Sequence, residues 1–381
     1  MRSNAPKLGV YVHWPFCARV CPYCDFNVYK DRDVDAERWR AALLGDLRYW
    51  AARTEGRSLT SLYFGGGTPS LAPLSVIYGV IGACAEFWGF EDGAEITLEA
   101  NPTDAEQSRF ESFAAAGVNR LSLGVQSFDD AALNFLGRDH DGAEARQAVD
   151  IGLKVFPRLT FDLIYALPGQ STDAWRRALR EALAIGSKHV SLYQLTIEDG
   201  TAFAKAVARG AWSPPDEARA ADLFDVTEEA TAEAGLPAYE TSNHAAPGEE
   251  SRHNLLYWTG GDYVGVGPGA HGRITGDGER RAIETHLAPQ IYLDAIEASG
   301  HGAADVAALD PEARLSERLS MGLRLSAGVE LSPGEWTALG FRAARIAALE
   351  DDGLLVRDGA RLKATRDGRR VLNALLAALL A

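Results

Sequence analysis

Between Leu8 and about Ile197 the chain alternates short β-rich runs with helical stretches. That alternation restricts it to an α/β architecture built on parallel strands. Six runs read as strands: Gly9–His13, Ser61–Phe64, Glu95–Glu99, Arg120–Val125, Leu159–Ile164 and His189–Leu195. Helix candidates such as Asp35–Arg53, Asp104–Ala116 and Thr172–Ile185 separate them, each long enough for a right-handed crossover. Several strands end in polar or glycine-rich sequence: Gly65-Gly66-Gly67-Thr68, Glu99-Ala100-Asn101-Pro102, Gln126-Ser127 and Pro168-Gly169. Sites in parallel α/β folds gather at these strand C-terminal ends. The pattern predicts a partial six-stranded parallel (β/α) barrel over residues 1–235, and does not by itself exclude a flat sheet.

After a helix candidate at Asp216–Ala234, the stretch Ala238–His271 is rich in Gly, aromatics and His without a clear period. It predicts an irregular extension over residues 236–310. From Pro311 the order is helix, helix (Pro333–Leu339), helix (Ala343–Asp351), two short strands (Leu354–Asp358 and Arg361–Thr365) about Gly359, and a helix to Ala381. Helices followed by a small hairpin predict a winged-helix-like domain over residues 311–381.

Charge narrows the partners. With 38 basic against 53 acidic residues the net charge is −15, which opposes a general role on nucleic-acid phosphates or anionic membranes. Arg357, Arg361, Lys363, Arg366, Arg369 and Arg370 cluster near the hairpin, but Asp351, Asp352, Asp358 and Asp367 dilute the patch, which reads as a solvated face. No apolar run approaches the roughly 20 residues of a membrane span, and Met1–Leu8 lacks a signal peptide's apolar stretch, so the expected location is the cytoplasm.

Cys17-Ala-Arg-Val-Cys21-Pro-Tyr-Cys24 follows the first strand and puts three thiols in one short loop. Such crowding in a chain of this size reads as metal binding in a reducing compartment. Soft thiolates suit an iron–sulfur cluster, and three ligands on a four-iron cubane leave one iron open. Zinc is the competing metal. It would want a fourth protein ligand, for which His13 is nearest, although His13 reads better as a residue that shapes the loop. Cys84, in the apolar run Val80–Phe87, reads as a core residue.

Further along, Glu99, Gln126, Arg138 and Asp162 are charged or amide side chains at or near strand ends, able to bind hydroxyls, a carboxylate or an amine. Each alone is also what a surface or cap position carries. Gly65–Pro69 alone is no more than a tight turn whose glycines let the backbone approach a ligand.

The cysteine spacing, with Tyr23 before the last cysteine, resembles the radical-SAM superfamily. The resemblance implies a 4Fe–4S cluster on Cys17, Cys21 and Cys24, with S-adenosylmethionine chelating the open iron through its amine and carboxylate. An electron from the reduced cluster then cleaves the sulfonium to a 5′-deoxyadenosyl radical. It also implies that Gly66, Gly67 and Thr68 bind the methionine amine. With Tyr11, Glu99, Gln126, Arg138 and Asp162 in this order, the chain resembles the oxygen-independent coproporphyrinogen III oxidases (HemN) and their relatives. The stretches are Tyr11-Val-His-Trp-Pro-Phe-Cys17, Gly65–Pro69, Glu99-Ala-Asn-Pro, Leu121-Ser-Leu-Gly-Val-Gln126-Ser-Phe, Leu136-Gly-Arg138 and Asp162-Leu-Ile-Tyr-Ala-Leu-Pro-Gly.

In the oxidases a further cysteine lies two residues after the last cluster ligand, where this chain has Phe26. Cys24-Asp25-Phe26-Asn27 and His253-Asn-x-x-Tyr257-Trp258 are similar instead to the HemW group of haem chaperones. That similarity implies haem as a third cofactor, a haem-acceptor protein, an electron donor for the cluster, and leaves a homodimer open. His253 is then the candidate haem ligand with Tyr257 and Trp258 as apolar surface, and His271 the second candidate. By chemistry alone these residues equally read as packing of the extension. His140, His189, His244, His286 and His301 read as surface histidines without a role. The C-terminal domain is expected to cover the barrel mouth or contact a partner. A radical decarboxylase is the alternative activity.

Overall fold

The computed structural model describes residues 7–30, 34–104 and 107–380. Residues 1–6 of the opening segment, 105 and 106 of the helix candidate Asp104–Ala116, and Ala381 lie outside the described residues.

All six expected strands form: β1 (Leu8–Trp14), β2 (Leu59–Gly66), β3 (Phe90–Ala100), β4 (Arg120–Gln126), β5 (Arg158–Tyr165) and β6 (His189–Gln194). They pair in this order and all in parallel, with Phe64 beside Leu98, Leu98 beside Leu121, Leu121 beside Leu159 and Phe161 beside Val190. Side chains alternate across a strand, so one parity faces the helices and the other faces inward. The outer parity carries Leu8, Val10 and Val12, Leu62 and Phe64, Leu121 and Leu123, and Leu159 and Phe161, all buried. These pack with Leu43 and Leu47, Ile77 and Val80, Phe110 and Phe113, and Trp175 and Leu179 of the crossover helices. The inner parity is mostly polar: Tyr11 and His13, Ser61 and Tyr63, Glu95 and Glu99, Arg120 and Gln126, Thr160 and Asp162, His189 and Ser191. A one-residue slip would exchange the two sets, so the apolar set fixes the register and the polar set is carried to the interior.

The segment 236–310 is regular where an irregular extension was expected. It adds β7 (Asn243–Ala245) antiparallel to β6 at one edge, and β8 (Asp262–Val266) parallel to β1 at the other. Beyond β8 come β9 (His271–Gly276), β10 (Glu279–Thr285) and β11 (Ala303–Ala308), all antiparallel, completing an open sheet of eleven strands among the described residues. Glycines at Gly260, Gly261, Gly265 and Gly267 break the period-2 signal of β8. The hairpin between β9 and β10 turns on Asp277-Gly278, both at positive φ as a tight two-residue turn requires.

The C-terminal domain has its own core around Leu319, Leu339, Ile346, Leu362 and Leu375. Its hairpin strands, Leu355–Asp358 and Arg361–Ala364, are joined by Val329–Glu330. Arg366, Arg369 and Arg370 pair with Asp225, Glu228 and Glu229 on the helix Glu217–Glu233, so half of the basic cluster is spent anchoring the domain. The domain also touches the short helix Arg252–Trp258, with Arg324 over the Trp258 ring at 4.7 Å. None of its described residues lines the cavity at the strand C-terminal ends, so of the two roles expected for it, covering the mouth or contacting a partner, it does not take the first.

Candidate cofactor site

Strand direction and parity bring the sequence-named residues to one cavity of about 470 Å³. Cys17, Cys21, Tyr23 and Cys24 line it from the loop after β1. Gly66, Gly67 and Thr68 follow from β2, Glu99 from β3, Gln126 from β4, Arg138 from the turn after the helix Asp130–Phe135, and Asp162 from β5. Tyr11 and His253 do not reach it.

The cysteine loop is held from two sides. Gly67 N–H donates to the Trp14 carbonyl at 2.7 Å and Thr68 N–H to the Phe16 carbonyl at 2.9 Å, so the glycine run lies against the segment entering Cys17. A Cβ on Gly67 would stand 2.7 Å from the Phe16 oxygen and 3.0 Å from the Cys17 sulfur, so only glycine fits. On the other side the Asn27 amide donates to the carbonyls of Pro268 and Leu287, each at 2.9 Å. His13 Nε2 donates to the Asn27 carbonyl at 2.9 Å, which leaves Nδ1 to accept from the Tyr11 hydroxyl at 3.0 Å. Both imidazole nitrogens are engaged, so His13 shapes the loop and does not offer zinc a fourth ligand.

Burial raises the Cys17 thiol, and it pushes Cys24 up to about 11, with the neighbouring sulfurs adding to both. Thiols so placed release protons when a cationic centre binds. Among the described residues no group of His, Cys, Asp and Glu converges to hold a single metal ion. A cubane meets its thiolates at separate irons and needs no such convergence. Cys84 lies fully buried in the helix Leu74–Phe87, away from the loop.

Polar groups above the loop are underused. Arg138 donates through Nη1 to the Cys21 sulfur at 3.3 Å and through Nη2 to the Gly124 carbonyl at 2.8 Å and the Asn101 side chain. Among the described residues its buried Nε has no hydrogen-bond partner, and neither do Gln126 Oε1 and Asp162 Oδ1. Unmet buried polar atoms are costly unless a ligand meets them. Burial lifts the Glu99 carboxyl to about 7, with Asp162 adding to the rise, and burial lifts Asp162 to about 7 as well. A cationic amine or ribose hydroxyls would favour the ionised carboxylates, and a carboxylate would suit Arg138. This donor set fits S-adenosylmethionine, and the three thiols beside it fit a cluster with one open iron.

His253 is 1% exposed and lies beneath this chamber. Its Nδ1 shares a hydrogen bond with Ser61 Oγ at 2.8 Å, and its Nε2 bonds the Tyr257 hydroxyl. The ring stacks on Tyr63 with centroids 4.8 Å apart, and Tyr11 lies parallel at 6.2 Å. The structure therefore leaves it no free nitrogen for a haem iron. Arg252–Trp258 is a short helix packed across the inner face of β1, β2 and β8, the floor beneath the cavity, and its first amide, that of Arg252, donates to Glu95 at 2.9 Å. Glu95 is in turn paired with Arg120 at 2.9 Å and Arg158 at 3.3 Å. His271 follows the turn after β8, its side chain 57% exposed and 3.8 Å from the Glu284 carboxylate. The Asn27 amide ties this turn to the cysteine loop, and Phe26 and Leu287 stand exposed on the same rim. His140, His189 and His244, expected at the surface, are buried, because all three bond to neighbouring oxygens inside the fold.

Sequence reasoning missed Tyr63 and Asn27. Tyr63 shares the parity of Gly65 in its strand and was there to be found. Asn27 lies within the quoted Cys24–Asn27 stretch, but its partners are more than 240 residues away and leave no local trace.

The profile of the Radical SAM superfamily matches residues 11–182, and that of the HemN C-terminal domain matches residues 309–371. The "Radical S-adenosyl methionine domain-containing protein 1, mitochondrial" of Bos taurus is 38% identical over 395 aligned residues, covering 100% of this chain and 89% of the relative. "Heme chaperone HemW" of Mycobacterium tuberculosis is 36% identical across 98% of this chain and 94% of its own length. Its namesake in Escherichia coli is 40% identical across 71% of each. Among solved structures, coproporphyrinogen III oxidase (HemN) from Escherichia coli superposes with a TM-score of 0.83, covering 99% of this chain and 91% of that one at 22% identity, a likeness of fold.

Proposed function

We infer the function from kinship, since the chain belongs to the radical-SAM superfamily, in its HemN/HemW group. It acts as a haem chaperone. Cys17, Cys21 and Cys24 hold a 4Fe–4S cluster, the chamber above them takes S-adenosylmethionine, and haem is carried to an acceptor protein. The cluster supplies electron transfer to the bound sulfonium, and an external donor reduces it. The cytoplasm is the expected setting.

One observation favours the chaperone over the decarboxylase: Phe26, 65% exposed, lines the cavity where the oxidases are expected to carry a further cysteine. Relatives named as haem chaperones, matched over nearly the whole chain, point the same way. Haem ligation is assigned to His271, whose exposed imidazole follows the turn that Asn27 ties to the cysteine loop, and not to the enclosed His253. The test is anaerobic haem titration of cluster-loaded protein, followed by transfer to haem-free acceptors. In parallel, reductant, S-adenosylmethionine and coproporphyrinogen III are supplied. Haem binding and transfer without protoporphyrinogen support the reading. Protoporphyrinogen formation, or failure of the folded protein to bind haem, overturns it.

A further inference from the structure

The His-Asn-x-x-Tyr-Trp segment needs another role if its histidine is sealed into the barrel floor. We propose that His253 is a positioning residue for S-adenosylmethionine: its ring holds Tyr63 in the plane from which the Tyr63 hydroxyl fixes the Glu99 carboxylate at the cavity. The inference rests on the reading that this chain binds S-adenosylmethionine.

Glu99 is a flexible side chain with a task that requires one geometry, and its side-chain hydrogen bond comes from the Tyr63 hydroxyl, at 2.7 Å to Oε1. Holding a carboxylate ready avoids the entropy of ordering it when ligand arrives. Tyr63 can do this only while its own ring stays fixed. His253 lies flat against that ring, 4.8 Å between centroids and 19° between planes. The imidazole cannot rotate freely, because Ser61 and Tyr257 hold its two nitrogens and the helix carrying it is seated on Glu95. Burial pushes its protonation down to about 3, so the ring stays neutral and adds no charge beneath Glu99. The chain of contact thus runs from the barrel floor to the cofactor wall through one strand, with Ser61 and Tyr63 on the same inward parity.

The experiment compares S-adenosylmethionine affinity of cluster-loaded wild type, His253→Ala, His253→Phe, Tyr63→Phe and the Tyr63→Phe/His253→Ala double variant. The readout is the shift of the reduced cluster's EPR signal on titration, with iron content and haem affinity measured alongside. Losing one buried hydrogen bond to Glu99 weakens binding on the order of tenfold. Tyr63→Phe and His253→Ala should each show that loss, and the double variant no more than the larger single one, because both act through the same contact. His253→Phe restores the flat ring and should stay within about threefold of wild type. Haem affinity should not move. Should His253→Ala fail to fold, the two phenylalanine variants decide: a larger loss in His253→Phe than in Tyr63→Phe overturns the proposal. Wild-type affinity in His253→Ala, or fully additive losses, also overturns it while leaving the cofactor reading intact. No binding by wild type brings down both.

Discussion

The guanidinium of Arg138 stands 3.3 Å from the sulfur of Cys21 while its own Nε, buried, has no hydrogen-bond partner among the described residues. One cation therefore serves the cluster loop and faces the chamber where a carboxylate would sit. Arg138→Ala should keep its iron and sulfide yet lose roughly 10- to 100-fold in S-adenosylmethionine affinity, the usual worth of a charge-assisted hydrogen bond. Iron and sulfide analysis with EPR titration checks this. Loss of iron from the folded variant would show that the arginine supports the cluster itself.

Replacing Cys17, Cys21 or Cys24 by alanine should each abolish the cluster, since only two thiols then remain in the loop. Cys84→Ala should spare it and cost about 1 kcal/mol, as a small cavity in a packed helix does. Iron content, the EPR of the reduced protein and urea denaturation separate the two effects. A full cluster in the Cys21 variant would refute the ligand assignment.

Haem titrations distinguish the two histidines named from sequence. His271→Ala should lose the imidazole signature in the Soret band and by EPR, whereas His253→Ala should keep it. The triple cysteine variant should still bind haem, because the His271 imidazole belongs to β9 and not to the cysteine loop. Loss confined to His253→Ala would require the floor helix to open and would reinstate that residue as the ligand.

Acid should weaken the fold through buried histidines. His244 accepts or donates at Thr231 Oγ1 across 2.9 Å, and burial lowers it to about 3 from an ordinary 6.5. The folded chain then stays unprotonated where the unfolded chain takes up a proton. Stability is full above pH 6.5 and falls as pH drops toward 3, by up to about 1.4 kcal/mol per pH unit for each such group. Urea denaturation of the cluster-free protein between pH 7 and pH 4.5 should show a shallower slope in His244→Gln by about one proton. An identical slope would mean that His244 titrates normally in the fold.

What could be read beforehand divides by range. The parallel strands and the cavity were legible because alternation is local: Leu121 and Leu123 declare the buried face, and the same parity rule then turns Arg120, Ser122 and Gln126 inward. The cysteine loop announced itself by spacing. His253 could not be placed from sequence, because a histidine among aromatics offers the same composition whether it awaits an iron or packs beneath Tyr63. Only the neighbours contributed by Ser61 and Glu95, far away in sequence, decide between them. The strand Asp262–Val266 was hidden by its glycines, which are there because Gly265 passes within a Cβ's reach of the His271 backbone and Gly267 of the His13 carbonyl.

The Asn27 amide, bonded to the carbonyls of Pro268 and Leu287, also sets a clock on synthesis. A ribosome makes the cysteine loop first, and both acceptors emerge some 240 to 260 residues later. Over that interval the loop has neither these bonds nor, until Asp262–Val266 is made, the support of β8 beside β1. The thiols are thus synthesised first and braced later, so the loop attains its final shape only once the segment through Leu287 has been made.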